Sequence, residues 1–440
     1  IVTGKGFGHP AALSIRLGAW PILLLVLAGA GVSVLRHRGT GRPGRVRTVL
    51  GAVMLLAAVA GAGVLVAWLA APGADPFLEE APPVTGAPVA PLVAPNPADM
   101  GPYQVAHLCY GSGTDRHRPE YGPNVALKTD SVDASSFIEP SPSRLGMWAR
   151  RKYWGFEPNS LPLNARVWYP KDNGLFPLVL IVHGNHQMDE FSDPGYAYLG
   201  ELLASRGFIV ASVDENFLNR SWFGNLGEEN GARSWLLLKH LELWHHWNET
   251  EGNPFHQKVD LSNIALIGHS RGGEAIVHAA AFNRLTHHPD NANVPFHFGF
   301  HIKTLIALAP TDGLYRPRGV PVPLRDVNYL VLQGSHDGDL GCFAGAGTYR
   351  RAVFTTGEYR MKAALYIYRA NHGQFNTVWG TNDRRPPLRY VLRRGSLLAG
   401  EDQRTIAKVY ISAFLHATLG GAPEYIALFR DHRRAADWLP

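Results

Sequence analysis

From residue 164 onward, short and nearly unbroken apolar runs alternate with longer segments in which apolar residues recur every three or four positions. The runs at 178–183, 208–213, 263–268, 303–309, 328–333 and 364–368 are rich in Val, Ile, Leu and Ala and are flanked in most cases by Gly, Pro, Asn or Asp. That pattern predicts strands covered on both faces. Runs at 104–109 and 164–169 add two earlier strands, and helical spacing holds over 197–205, 232–247, 274–283 and 403–419. The alternation predicts an α/β domain over residues 101–440, with a mostly parallel eight-stranded sheet, antiparallel first strands and helices on both faces. A site in such a sheet belongs at the carboxyl ends of the strands.

The first 71 residues follow a different pattern. Residues 20–35 carry no charge and, with 11–18 interrupted only by Arg16, form an apolar stretch over 11–35; residues 48–71 are charge-free throughout. A membrane helix needs about 20 such residues. The reading is a membrane anchor over 1–71 with two transmembrane helices, at about 11–35 and 48–71, a signal peptide or interfacial helix being the alternative for the first. Between them Arg36, Arg38, Arg42, Arg45 and Arg47 occur without an acidic residue, which puts that loop in the cytoplasm and the rest of the chain outside. Residues 72–100 are Pro-rich and read as an extended linker.

The net charge of +6 comes in part from that arginine loop. No basic patch interleaved with aromatics follows, so nucleic acid is not an expected partner. His245-His246 and His287-His288 are adjacent pairs without ligand spacing, and neither a metal nor a cofactor is implied. Cys109 and Cys342 can pair in an oxidising compartment or remain separate thiols.

The chemistry is carried by Ile264-Ala-Leu-Ile-Gly-His-Ser270-Arg-Gly-Gly-Glu274, a serine between two glycines after an apolar run and before a helix. This Gly-x-Ser-x-Gly elbow holds a serine on a strained turn, with Gly268 and Gly272 removing side chains that would clash. It predicts Ser270 as a nucleophile. A serine hydroxyl needs a base and the base needs an orienting acid. Asp337 lies just past the run ending at Gln333, and His372 just past the run ending at Tyr368. Asp339 is the alternative acid; His336 and His269 are less favoured as base, His269 reading as a packing residue of the elbow. Oxyanion donors are expected from the backbone N–H of Arg271, after the nucleophile, and of Asn185, after the His183-Gly184 turn, with His186 as second choice.

The order Ser270, Asp337, His372 and the elbow Gly268-His-Ser-Arg-Gly-Gly273 resemble the α/β-hydrolases, and the wording of the elbow is similar to that of chlorophyllases. The dienelactone hydrolase, platelet-activating-factor acetylhydrolase and cutinase or polyester hydrolase groups are similar too. The resemblance implies the α/β-hydrolase fold over most of residues 101–420 and a serine esterase, lipase or cutinase-like enzyme working through an acyl-serine. Ser270 stands where dienelactone hydrolases carry a cysteine, which disfavours that activity. An acyltransferase using the same three residues and a non-catalytic binding module on the same fold are the alternatives. Loops 187–198, 216–230 and 286–300 carry Phe191, Tyr196, Phe296 and Phe298, and His186, Trp222 and Phe223 are the candidate substrate contacts. With no long cap segment, the cleft suits a bulky ester, lipid or polymeric.

Overall fold

The structure is a computed structural model, and it describes residues 18–36, 44–71, 87–138, 143–221, 226, 229–384, 388–392 and 394–440. Two compact units form, one of residues 1–85 with 382–397 and one of 86–381 with 398–440.

In the larger unit nine described strands make one sheet: β1 (Val105–Gly111), β2 (Leu127–Lys128), β3 (Asn164–Pro170), β4 (Phe176–Val182), β5 (Ile209–Asp214), β6 (Val259–His269), β7 (Ile302–Leu308), β8 (Asn328–Gly334) and β9 (Lys362–Ile367). Their order is β9-β8-β7-β6-β4-β5-β3-β1-β2. β3 runs antiparallel to β1 and β5, while β5, β4, β6, β7, β8 and β9 are mutually parallel. Eight of the nine match the strands expected from the sequence; the ninth is the two-residue β2.

Period-two alternation explains how one apolar run serves two cores. Leu178, Leu180 and Val182 of β4 enter a cluster with Leu237 and Trp244 of helix Glu229–Glu249 and Ile276 of helix Arg271–Phe282. Val179 and Ile181 point the other way, into a cluster with Leu199 of helix Ala197–Ser205 and Phe414 of helix Gly400–Thr418. Both faces are therefore covered, as all-parallel strands require. This is the α/β-hydrolase fold that the elbow resemblance implies.

The structure departs from the sequence reading in three places. Helix Arg144–Trp154 is absent from the expected elements because its composition is polar and basic. Its signals are terminal: the Ser143 hydroxyl accepts the Gly146 N–H, and Gly155 closes it at φ 85°. Residues 87–100, read as linker, pack along the larger unit: the Leu92 N–H donates to the Arg434 carbonyl and the Tyr425 hydroxyl to the Pro95 carbonyl. In the smaller unit helix Arg45–Ala70 is long and apolar enough to cross a bilayer, but helix Trp20–Leu35 has only 16 residues. At 1.5 Å per residue that is about 24 Å, short of a hydrocarbon core of about 30 Å. Among the described residues one helix, rather than two, passes the length test. The two helices meet at glycines, a Cβ on Gly31 falling 3.0 Å from the Gly51 carbonyl.

A buried charge cluster fixes the start of the larger unit. Arg118 reaches Asp193 at 2.5 Å and Asp214, at the end of β5, at 2.9 Å, while the Tyr121 hydroxyl donates to Asp193. Burial pushes both carboxyls up; at Asp193 Arg118, together with Arg166 and the Tyr121 hydroxyl, outweighs it and holds the group below the usual range, while at Asp214 burial wins and the carboxyl rises. Arg118→Ala leaves buried Asp214 without its cation and Asp193 with Arg166 alone, 3.0 Å away, and is expected to cost about 3–5 kcal/mol. Urea unfolding checks it, and a loss under about 1 kcal/mol, the size of an exposed pair, would contradict a structural role for the cluster.

Candidate active site

Ser270 joins β6 to helix Arg271–Phe282 at φ 58°, ψ −122°, a conformation a serine avoids. The backbone around it supplies the restraint: its N–H donates to the Leu308 carbonyl at 2.8 Å and its carbonyl accepts the Gly273 and Thr311 N–H groups. The glycines are there for room. A Cβ on Gly268 would lie 2.1 Å from the Gly272 carbonyl oxygen, and one on Gly272 2.6 Å from that of His183. The end of β4 closes in as tightly, since a Cβ on Gly184 would stand 2.5 Å from the Ser270 Cβ and 2.9 Å from the Arg271 nitrogen.

The loops after β8 and β9 are stitched together by the Ser335 N–H to the Ile367 carbonyl and the His336 N–H to that of Ala370, both at 2.9 Å. This brings Asp337 and His372 together: His372 Nδ1–H donates to Asp337 Oδ2 at 2.8 Å. The Gln333 amide donates to the same oxygen at 2.6 Å, and the Asp339 and Leu340 N–H groups donate to Oδ1. Asp339 sits on the other side of the ring, its Oδ2 3.7 Å from Nε2. Of the two acids weighed from sequence, Asp337 therefore holds the Nδ1 edge. The His372 loop is clamped from helix Gly400–Thr418, where Gln403 accepts the Asn371 N–H and donates to the Asn371 carbonyl.

His269 is a strut. Its Nε2–H donates to the His372 carbonyl at 3.0 Å, which leaves Nδ1 to accept the Tyr196 hydroxyl at 2.9 Å. Burial, and then the neighbouring His372, push its pKa well below the ordinary value and keep it neutral. His183 is likewise driven down to about 3 by burial and Arg233; its Nδ1–H donates to the Gly184 carbonyl and its Nε2 accepts the Glu215 N–H. His336 bonds the adjacent Ser335 hydroxyl and packs near Tyr368.

Arg271 is the first residue of its helix, a position whose N–H has no intrahelical acceptor and lies at the positive end of the helix dipole. Its guanidinium pairs with Glu229. Asn185 follows Gly184, and its Oδ1 accepts the Arg220 N–H at 2.8 Å. His186 stacks on Trp379, ring centroids 5.1 Å apart, and its Nδ1 pairs with Glu190. Trp222 and Phe223 lie outside the described residues. The aromatics expected on the site loops divide differently: Phe296 belongs to a core cluster with Phe298 packed against it, Tyr196 supports His269, and Phe191 lies under the Arg118 guanidinium.

Trp379 was not singled out by sequence. Its indole lies 4.4 Å from the His269 ring, 5.1 Å from that of His186 and 6.1 Å from that of His372, with Nε1–H donating to the Ser192 hydroxyl. Gln333 and Gln403 were missed as well, and Tyr196 was named only as a loop aromatic: Gln403 and Tyr196 meet partners dozens of residues away, and Gln333 meets Asp337 four residues on, across the turn that ends β8. Cys109 is buried and Cys342 exposed, and both are free thiols.

Residues 155–323 match the family model for chlorophyllase. That stretch holds the elbow and Gly184 and ends before Asp337 and His372. Over 122 residues the chain is 25% identical to "Cutinase est1" of Thermobifida alba, covering 26% of this chain and 34% of that one. It is 25% identical over 122 residues to "Cutinase 2" of Thermobifida cellulosilytica, covering 26% and 38%. The same identity over 122 residues holds for "Cutinase" of Thermobifida fusca, covering 26% and 31%. The chain spans about a third of the length of the curated relatives it matches.

Gly184→Ala puts a methyl group where Ser270 already stands and is expected to cost about 1–3 kcal/mol of stability. Gly299→Ala, with nothing within 4 Å, is the control. Thermal unfolding of the two side by side checks it; equal melting temperatures would contradict the close approach.

Proposed function

We propose that this chain, an ester hydrolase of the α/β-hydrolase type similar to chlorophyllases and cutinases, cleaves its ester through an acyl-serine on Ser270. The observation that carries this reading is the 2.8 Å bond from His372 Nδ1–H to Asp337 Oδ2, in loops adjoining a serine held at positive φ. Asp337 fixes the tautomer in which Nε2 is the basic nitrogen, and the Gln333 amide and two backbone N–H groups hold that carboxylate in place.

In the first half-reaction Ser270 Oγ attacks the ester carbonyl while His372 Nε2 takes its proton. The negative oxygen of the tetrahedral intermediate is received by the backbone N–H groups of Arg271 and Asn185, with the helix dipole adding to the first. The alcohol leaves with the proton from His372. Water then attacks the acyl-serine, giving its proton to His372, and collapse returns the proton to Ser270 Oγ and frees the carboxylic acid. His269 takes no proton in this scheme, because burial keeps it neutral with both nitrogens engaged. Trp379 forms one wall beside His372, and His186, stacked on it, is a substrate contact in the same reading.

Hydrolysis of p-nitrophenyl acetate, butyrate and octanoate tests the proposal. Ser270→Ala and His372→Ala are expected to lose roughly 10⁴-fold or more in kcat, and their double variant little beyond either single one. Asp337→Asn is expected to fall about 10³- to 10⁴-fold, and Asp339→Asn by less than about tenfold. Wild-type protein inert to all three esters would overturn the proposal, and Asp339→Asn as damaging as Asp337→Asn would overturn the assignment of the acid.

A further inference from the structure

Helix Arg144–Trp154, the element that sequence reasoning did not find, lines a cavity of about 630 Å³ together with Phe156, Leu161, Phe217, Leu218 and Leu226. Its walls are mainly apolar, and its volume falls within the range of about 300–1,000 Å³ that small-molecule sites occupy. Neither Ser270 nor His372 lines it.

Two features separate this cavity from ordinary core packing. The first is Arg150. Three arginines of the larger unit are almost wholly buried, and two of them meet carboxylates: Arg118 pairs with Asp193 and Asp214, and Arg233 with Glu215. Arg150, 5% exposed, has no carboxylate in ion-pair range among the described residues; it donates to the carbonyls of Asn219, at 2.9 Å, and Phe217. Its direct partners are neutral carbonyls, and the one carboxylate that acts on it, Glu229, does so from beyond ion-pair range and against the repulsion of Arg233, so the buried charge is only partly compensated. Burial pushes the guanidinium down to about 10. The second feature is Trp154, also 5% exposed, whose buried indole N–H has no hydrogen-bond partner among the described residues. Unsatisfied buried donors are rare enough to call for an acceptor. Arg144 and Arg151 add positive charge to the same lining, Arg151 being paired at 2.9 Å with Glu157.

We propose that this cavity binds a long-chain alkyl carboxylate, with the head group taken by Arg150 and the Trp154 indole N–H and the hydrocarbon tail laid along the aromatic and aliphatic walls. A carboxylate supplies what each of the two groups lacks, an adjacent negative charge for the guanidinium and an acceptor for the indole. The tail is demanded by the walls, which would gain nothing from a small hydrated anion.

The position also relates the cavity to the elbow. Phe217 and Leu218 lead directly to Asn219 and Arg220, and Arg220 bonds Asn185 beside Gly184. Leu226 lies three residues before Glu229, the partner of Arg271. A ligand in the cavity is thus held by segments that also brace the elbow, while the binding itself requires no catalysis by Ser270.

Calorimetric titration of the whole 440-residue chain with dodecanoate, and separately with dodecyltrimethylammonium, tests the proposal with one tail and two opposite heads, both below their micelle concentrations. Dodecanoate is expected to bind at least about tenfold more tightly. Arg150→Met should remove that preference and Arg150→Lys restore part of it. Trp154→Phe, which keeps the ring and deletes the N–H, should weaken dodecanoate severalfold and leave the cation unchanged. Equal affinity for the two heads in the wild-type protein, a comparison that depends on no variant folding, would overturn the proposal. So would dodecanoate binding that Arg150→Met leaves intact in a folded protein. Dodecanoate retained after turnover of p-nitrophenyl dodecanoate would identify it as a product of the protein's own reaction, and binding only of added dodecanoate as an outside ligand; either supports the site.

Discussion

The architecture of the site depends on holding one serine at a backbone conformation it would leave if it could. Ser270 at φ 58° carries a strain of order 1–3 kcal/mol, and the surrounding chain maintains it by crowding rather than by any single strong bond. β4 ends against the serine at Gly184, the elbow folds back on itself at Gly268 and Gly272, and β7 receives the Ser270 N–H. Each contact requires neighbouring parallel strands in register, which is why the apolar runs that build the sheet also build the turn. The twofold coverage of β4, with alternate residues in opposite cores, makes that platform rigid.

Around the elbow the protein uses neutral polar struts where they only need to hold and charge where it needs to orient. His269 and His183 are buried, neutral and fully committed to hydrogen bonds, so they position loops without competing for protons. Charge is concentrated in Asp337 beside His372 and in the ion pairs Arg271–Glu229 and Arg233–Glu215 behind the helix. Burial raises Glu215 to about 8 against the pull of Arg233, a sign of how dry that layer is. In such surroundings two backbone N–H groups facing a developing oxyanion count for far more than they would in water.

The sheet was legible because strands buried on both faces leave unbroken runs of Val, Ile and Leu, and the elbow was legible because its glycines are a steric requirement written into five residues. Asp337 and His372 could be found from chain order, each one short loop beyond a strand. The choice between Asp337 and Asp339 could not, since two residues of sequence decide which ring nitrogen a carboxylate meets. Helix Arg144–Trp154 stayed hidden because a basic amphipathic segment has no long apolar run; Ser143 and Gly155 were its only markers. Trp379, Gln403 and Tyr196 act through partners far along the chain, and Gln333 through Asp337 four residues on, across the turn that ends β8. The N-terminal reading was half right in physical terms: uncharged composition identifies an apolar helix, but 16 described helical residues fall short of a bilayer's width where 26 exceed it.

Covalent capture of the nucleophile tests the central claim most directly. Treating the protein with a fluorophosphonate and locating the adduct by peptide mass spectrometry should find the phosphonyl group on Ser270 in near-stoichiometric yield. The label should disappear when His372 is replaced by alanine. An adduct on another serine, or none on folded protein, would mean that the strained turn presents no working nucleophile and would contradict the account.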